Sequence, residues 1–186
     1  MSSISVADHV HAGAARTMID ERPVFGWLFA VAVACMAAAY LRAVYFTPIE
    51  ALQGAAQKIY YVHVSSALSA YLSLGIVALM SIVYLWLHDE RADRLAESAG
   101  EVGLVFLTIV LTTGPLWGKP IWGTWWTWDA RLTLTLFLWF LTAGYLVLRG
   151  AVEDSAMRAR YSAVLGILAA LLIPFIHLSV YLFNTL

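Results

Sequence analysis

The sequence contains five long apolar stretches without a single Asp, Glu, Lys or Arg, and these stretches limit the folds available to the chain. An α-helix crosses the hydrocarbon core of a bilayer in about 20 residues, with about 17 as the practical minimum. Hydrophobic residues make up 62% of the chain and charged residues 12%, whereas a soluble domain is about half apolar and a quarter charged. The sequence therefore predicts an all-α, multi-pass membrane helix bundle. The five predicted spans are residues 24–41, 59–87, 102–117, 132–148 and 161–186.

The third predicted span is the weakest, because it is short and carries Glu97 and Glu101 at its start. We expect these carboxylates to lie near enough to an interface to snorkel toward water. The first span is longer than the roughly 7–15 apolar residues of a signal-peptide core, and we interpret it as a membrane span. The predicted organisation is a polar cytoplasmic tail over residues 1–23 and one membrane domain over residues 24–186.

Charge and cysteine content exclude several functions. The formal net charge is −1, so there is no basic surface to neutralise nucleic-acid phosphates. Cys35 is the only cysteine, which excludes intrachain disulfides and CxxC chemistry. Because no CxxCH sequence occurs, the chain cannot itself be a c-type cytochrome.

The distribution of Lys and Arg predicts the orientation in the membrane. Seven of them belong to one side of the bilayer and four to the other, and the positive-inside rule places the richer side in the cytoplasm. The segment 114–131 then faces outward. At both membrane surfaces, the membrane domain is expected to contact lipid headgroups. The richer side holds Arg16, Arg22, Arg91, Arg94, Arg149, Arg158 and Arg160, and the other side holds Arg42, Lys58, Lys119 and Arg131. We expect His9, His11 and His88 to be ordinary solvated residues of the cytoplasmic side.

Five of the eight tryptophans fall within residues 117–128. One interpretation is an aromatic belt at the headgroup level, although a belt usually spreads over several helix ends. We favour a shaped aromatic surface for a large flat ligand, because glycine and proline are predicted to end the third span at Gly114-Pro115 and keep the following segment irregular. Asp129 is predicted to cap the next helix rather than to act as a catalytic acid. The tryptophans are Trp117, Trp122, Trp125, Trp126 and Trp128.

The segment 122–133, WGTWWTWDARLT, resembles the WWD signature of heme-handling membrane proteins. With WGKP at residues 117–120 before it, the chain is similar to the heme exporter protein C family, CcmC. The resemblance extends to KIYYVHV at 58–64, PFIHLSV at 174–180 and NTL at 184–186, and it covers roughly residues 24 to 186.

Two histidines are predicted at matching depth in the outer leaflet. His63 lies roughly 7 Å along its helix from Lys58, and His177 lies about 24 Å along the last span from Tyr161. Two imidazoles on different helices at one level are what two axial ligands of a heme iron require. For either histidine alone, an interhelical hydrogen bond remains an alternative. Pro174 predicts a kink that could direct His177 toward the tryptophans.

The small residues one and two turns after His63 do not separate these alternatives. Ser66, Ala67 and Ala70 lie on the face of the helix that carries His63. Such a face admits either a neighbouring helix or a flat macrocycle.

The resemblance implies a periplasm-facing site for heme b in the bacterial inner membrane, with His63 and His177 as iron ligands. It also implies delivery of heme to the chaperone CcmE, assisted by the ABC-type transporter CcmAB and the small accessory protein CcmD. Arg131 and Lys58, with Lys119 behind them, are candidates for the heme propionates, although plain snorkelling is equally open. The porphyrin would be held by Trp122, Gly123, Trp125, Trp126, Trp128 and Asp129.

The sequence departs from the family pattern in three places. Ser65 stands where the family usually has proline, and Tyr181-Leu182-Phe183 replaces a usual tryptophan pair. Family members also continue into a sixth span, beyond the five predicted here. Three other functions stay open: a cytochrome c synthase of the same superfamily, a membrane cytochrome b subunit for electron transfer, and a purely structural assembly subunit.

Overall fold

The computed structural model describes residues 23–183, so all but the last residue of the predicted tail over residues 1–23, and the last three residues of the chain, lie outside the described part. Within residues 23–183, five helices are long and apolar enough to cross a membrane. This confirms the predicted multi-pass, all-α fold. The helices are α1, Pro23–Leu41, which continues as a π-helix over Arg42–Phe46; α2, Gln57–Leu87; α3, Glu90–Trp122; α4, Ala130–Ala151; and α5, Ser155–Phe183.

The chain divides into two compact units, Met1–Thr47 and Pro48–Leu186. In the first unit, the described part of α1 spans Pro23–Leu41. The unit ends where the Thr47 hydroxyl donates a hydrogen bond to the Ala43 carbonyl.

The second unit is a ring of four helices. Helix α2 packs against α3 and α5, and α4 packs against the same two helices, whereas the diagonal contact between α3 and α5 is small. Two residues, His88 and Asp89, join α2 to α3, and three residues, 152–154, join α4 to α5. Such short connections produce antiparallel neighbours, so these two connections lie at the same end of the ring.

Small residues let these helices approach closely, as is common in membrane bundles. A Cβ added at Gly166 would lie 2.7 Å from Val77 Cγ1, and one added at Gly100 would lie 2.7 Å from Tyr145 Cε1. On the small-residue face predicted after His63, two residues, Ser66 and Ala70, are fully buried between the helices. The largest fully buried side chains in the described part of the chain are Tyr145, Leu74, Leu107, Leu138 and Ile176.

Helix α3 corrects the prediction that the third span ends at Gly114-Pro115. The helix is 33 residues long and continues through Pro115 and Pro120 to Trp122. Proline is tolerated within membrane helices when surrounding packing and other hydrogen bonds compensate for the lost backbone bond. Here the side chain of Trp117, which lies between the two prolines, packs against the ring of Tyr60, with ring centroids 5.7 Å apart. The irregular segment is therefore only residues 123–129, which we call the tryptophan loop.

The start of α3 also differs from the prediction. Instead of snorkelling alone, Glu97 accepts a hydrogen bond of 2.9 Å from Arg149. Asp93 accepts two further bonds from the same guanidinium, at 2.7 and 2.8 Å. Arg149 is buried and forms ion pairs that join α4 to α3.

Candidate ligand-binding site

A cavity of about 340 Å³ lies at the end of the ring where the tryptophan loop joins α3 to α4. Its size falls in the range of about 300–1,000 Å³ typical of small-molecule pockets. All four helices of the ring and the loop contribute to its walls, which are mainly apolar and aromatic. Its lining includes His63, Ala67, Tyr71, Val110, Gly114, Trp117, Trp122, Trp125, Trp126, Arg131, Ile176 and His177.

His63 enters the cavity from the second turn of α2, and three residues of α3 lie next to its ring. Its Nδ1 lies 3.0 Å from the hydroxyl oxygen of Thr113, and its ring centroid lies 5.7 Å from that of Trp117. A Cβ added at Gly114 would lie 3.3 Å from His63 Cε1. Glycine at this position therefore allows α3 to approach the imidazole closely.

His177 reaches the same cavity from α5 but is held differently. Its ring meets the edge of Tyr71 with centroids 5.3 Å apart. Its side chain is exposed, and within residues 23–183 it makes this ring contact but no side-chain hydrogen bond or ion pair. The structure thus brings the two predicted histidines together while constraining one more tightly than the other.

Trp122, the last residue of α3, forms part of the cavity wall. Its ring packs beside that of Trp117, with centroids 6.3 Å apart, and the Arg131 guanidinium lies 6.0 Å from its centroid. A Cβ at Gly118 would lie 2.8 Å from Trp122 Cε3. The close packing of this indole against the helix therefore requires glycine one turn earlier.

The tryptophan loop begins with a fixed turn. Gly123 has φ +76°, a left-handed conformation that suits glycine because it has no Cβ. Its N–H donates to the Lys119 carbonyl, and its own carbonyl accepts from Lys119 Nζ at 2.8 Å. The Thr124 hydroxyl then donates to the Trp126 carbonyl at 3.1 Å.

The loop ends with the predicted helix cap. Asp129 accepts a 3.0 Å hydrogen bond from the Leu132 backbone N–H, as an N-cap residue does. Its other carboxylate oxygen accepts from the Thr127 hydroxyl at 2.7 Å. Hydrogen bonds therefore fix the backbone at both ends of the loop, and the Asp129 side chain accepts those at its second end.

The predicted site residues fall into two groups. Those that line the cavity are His63, His177, Trp122, Trp125, Trp126 and Arg131, whereas Lys58, Gly123, Trp128 and Asp129 are outside its lining. Trp128 is 75% exposed and touches the edge of Trp126, with centroids 5.8 Å apart. Such exposure is typical of an aromatic belt at the headgroup level, whereas Trp122 and Trp126 line the cavity.

The sequence prediction missed several residues at this site, among them Gly114 and Tyr71 of the cavity lining and Thr113, which contacts His63 Nδ1. Thr113 and Gly114 precede Trp117 by one helical turn, and Tyr71 follows His63 by two turns. Helical periodicity would place each of them on the same face as a predicted residue. For Thr113 and Gly114 that signal depends on α3 remaining helical past Pro115, which the prediction did not allow, whereas for Tyr71 it was available within the predicted second span.

The fold and this cavity define the class: a polytopic helical membrane protein with a histidine- and tryptophan-lined pocket at one end of a four-helix ring. Across residues 23–183, no group of three or more His, Cys, Asp or Glu side chains is placed to hold a bare metal ion. The chain belongs to the heme exporter protein C family, whose sequence model matches residues 9–186.

Individual relatives agree with this assignment. The heme exporter protein C of Bradyrhizobium diazoefficiens is 38% identical over 164 residues, which cover 88% of this chain and 62% of the relative. That of Escherichia coli K12 is 35% identical over 163 residues, covering 86% and 65%. That of Haemophilus influenzae is 38% identical over 141 residues, covering 76% and 57%. The chain thus matches less than two thirds of the length of these relatives.

Proposed function

We propose that this protein binds heme in the histidine- and tryptophan-lined cavity and passes it on as a heme export component of cytochrome c maturation. The observation that carries the proposal is the entry of His63 and His177, from α2 and α5, into one largely apolar cavity. Neutral imidazole is a usual axial ligand of heme iron, and indole rings stack on flat aromatic ligands.

Two polar groups of the cavity suit the carboxylates of a porphyrin. The indole Nε1 of Trp126 is buried and meets no acceptor in the described part of the chain. Arg131 supplies a guanidinium to the same lining, and guanidinium groups bind carboxylates through paired hydrogen bonds. Trp126 and Arg131 therefore support heme b, with its two propionates, over a ligand without acidic groups.

Exposure favours transfer over permanent retention. His177 is exposed, and the Trp125 side chain is 56% exposed. A cytochrome b subunit that keeps its heme for electron transfer would be expected to enclose both axial ligands within the bundle. A carrier must instead let a partner reach the ligand, and the accessible side of this cavity supports that role.

The proposal includes an orientation and a set of partners. The excess of Lys and Arg at the opposite end of the helices supports a cavity that faces the periplasm of a bacterial inner membrane. There it would present heme to the chaperone CcmE. We further propose that the ABC-type transporter CcmAB and the small protein CcmD act with it, because similar proteins are named heme exporters.

The test is the absorption spectrum of the purified protein loaded with heme, alone and in histidine variants. We expect a six-coordinate, low-spin spectrum for the unaltered protein. His63→Gly and His177→Gly should each give a five-coordinate heme or lose it, because each opens one axial position. Added imidazole, small enough to fill that space, should restore the six-coordinate spectrum.

His88→Gly is the matched control. His88 is exposed at the far end of α2 and has φ 54°, a conformation in which glycine is favourable. This variant should keep the original spectrum. An unaltered spectrum in either cavity variant would show that another group ligates the iron and would remove that histidine from the proposed site.

A further inference from the structure

We propose that the Thr113 hydroxyl sets the tautomer of His63, so that the imidazole holds its proton on Nδ1 and presents Nε2 as the free coordinating nitrogen. The inference rests on the proposed function, because it gives His63 the role of an anchored iron ligand. Thr113 is then a positioning residue, since it acts on the ligand through the imidazole and not on the iron itself.

The direction of the hydrogen bond follows from the position of Thr113 on α3. Its hydroxyl lies 2.6 Å from the Ile109 carbonyl one turn earlier, and it donates there. A hydroxyl has one proton to donate, although its oxygen can still accept. The contact of 3.0 Å with His63 Nδ1 must therefore run the other way, from an Nδ1–H to the Thr113 oxygen.

This assignment determines what the other ring nitrogen can do. A neutral imidazole has one N–H and one unprotonated nitrogen, so a proton on Nδ1 leaves the Nε2 lone pair for a metal. Hydrogen-bond partners of the remote nitrogen commonly fix the tautomer and orientation of ligating histidines. For His63, the nearby Gly114 and Trp117 restrict the ring further.

The second histidine has no such partner in the described part of the chain. His177 meets the edge of Tyr71, and a ring contact of this kind leaves both tautomers available. The two proposed ligands are therefore unequal, with His63 oriented before heme arrives and His177 free to adjust. A carrier that must release its heme can use this difference, because one iron bond is easier to give up.

The first measurement needs no heme. The purified membrane protein, labelled with ¹⁵N in its histidines, is examined by NMR, and the His63 signals are assigned by their loss in His63→Gly. We expect the unaltered protein to show the proton on Nδ1 of His63. A proton on Nε2 would overturn the proposal without any further variant.

Three variants then isolate the hydroxyl. Thr113→Val keeps the branched shape and removes the hydroxyl acceptor while the Val110 carbonyl remains beside the ring, so the fraction of His63 protonated on Nε2 should rise in the ¹⁵N spectrum. Thr113→Ser keeps the acceptor and should restore the original tautomer. Thr112→Val is the matched control, because the Thr112 hydroxyl is exposed and bonds to the Thr108 and Ile109 carbonyls rather than to His63.

Heme binding gives the second readout. Loss of a partner behind a ligating histidine typically reduces metal affinity about 10–100-fold, and we expect a loss of this size in Thr113→Val. The midpoint potential of the bound heme should rise, because an imidazole without that hydrogen bond donates less electron density and favours the ferric state less. Both quantities should stay near the original values in Thr113→Ser and Thr112→Val.

The outcomes separate this inference from the proposed function. If His63→Gly changes the heme spectrum while Thr113→Val leaves tautomer, affinity and potential unaltered, His63 remains the ligand and Thr113 loses its role. If His63→Gly leaves the spectrum unaltered, the ligand assignment itself fails and the inference fails with it. If Thr113→Val does not fold, the tautomer of the unaltered protein and the Thr113→Ser variant decide the question.

Discussion

The two ends of the four-helix ring are built from different side chains. At the end with the short connections, buried Ala92, Ala96, Ala159 and Ala163 let the helices meet closely. At the other end, large aromatic rings such as Trp117, which packs against His63, stand between the helices, and a cavity of about 340 Å³ remains. The same ring is therefore closed at one end and open at the other.

Side-chain size explains this difference. Small residues reduce the distance between helix axes, whereas bulky residues increase it. The closed end adds an ion pair, in which Arg149 bridges Asp93 and Glu97 of the facing helix. The open end has cation–ring contacts such as that of Arg131 with Trp122. We infer that the closed end contributes mainly to stability and the open end mainly to ligand binding.

The largest expected effect concerns the sides of the membrane on which the two ends lie. Two single-cysteine variants, Trp128→Cys at the open end and Glu153→Cys at the closed end, are made in a Cys35→Ser background. A maleimide that cannot cross the inner membrane should label the first variant in cells with a permeable outer membrane and not the second. After lysis with detergent, both should react. Labelling of Glu153→Cys alone in unlysed cells would reverse the proposed orientation.

A large effect on stability is expected at the closed end. Arg149→Met leaves the Asp93 and Glu97 carboxylates without their shared partner, and breaking a buried ion pair typically costs about 3–5 kcal/mol. We expect a loss near 3 kcal/mol, because the Glu97 side chain is 42% exposed. The measurement is the free energy of unfolding in detergent micelles.

Arg94→Met is the control for that prediction. Arg94 pairs with Glu90 across one helical turn, at 3.6 Å, with both side chains largely exposed. Exposed pairs of this kind contribute little, so the variant should unfold almost as the original protein does. A loss equal to that of Arg149→Met would mean that burial does not distinguish the two ion pairs.

At the open end we expect a smaller effect on stability than that of Arg149→Met. Trp126→Phe removes a buried N–H that meets no acceptor in residues 23–183, so the free energy of unfolding should change by about 1 kcal/mol or less. Heme affinity should fall about tenfold, since a hydrogen bond to a charged group contributes about 1.5 kcal/mol or more. The affinity is measured by heme titration.

In the same titration, Trp128→Phe distinguishes a tryptophan outside the cavity lining from Trp126, which belongs to it. Trp128 lies outside the cavity lining and is mostly exposed, so its replacement should leave heme affinity unchanged. Equal losses in Trp126→Phe and Trp128→Phe would indicate a general interfacial role for the aromatic loop and would weaken the distinction between the two ends.

Much of the fold could be predicted because its signals are local. A run of about 20 apolar residues is sufficient to indicate a membrane helix, and all five runs form such helices. The cap at Asp129 was equally local, since its side chain bonds to a backbone N–H three residues away. Counting residues along the helices also brought His63 and His177 to one end, where the structure places them in one cavity.

The end of α3 could not be predicted in this way. Gly114, Pro115 and Pro120 are local signals for a break, yet the helix continues to Trp122. The packing of Trp117 against His63 and Tyr60 comes from another helix, and it holds this part of the chain in place. Tertiary packing regularly overrides local preference.

The sequence by itself determined that the helices lie in lipid, which five runs of residues form them, and at which end of the bundle histidine and tryptophan meet. These properties depend on the order of residues along each helix. Only the tertiary structure decided which side chains touch. His63 meets Thr113 across 50 residues of sequence, and Arg149 meets Asp93 across 56. Such pairs depend on the rotation and separation of neighbouring helices, which no periodicity within a single helix specifies.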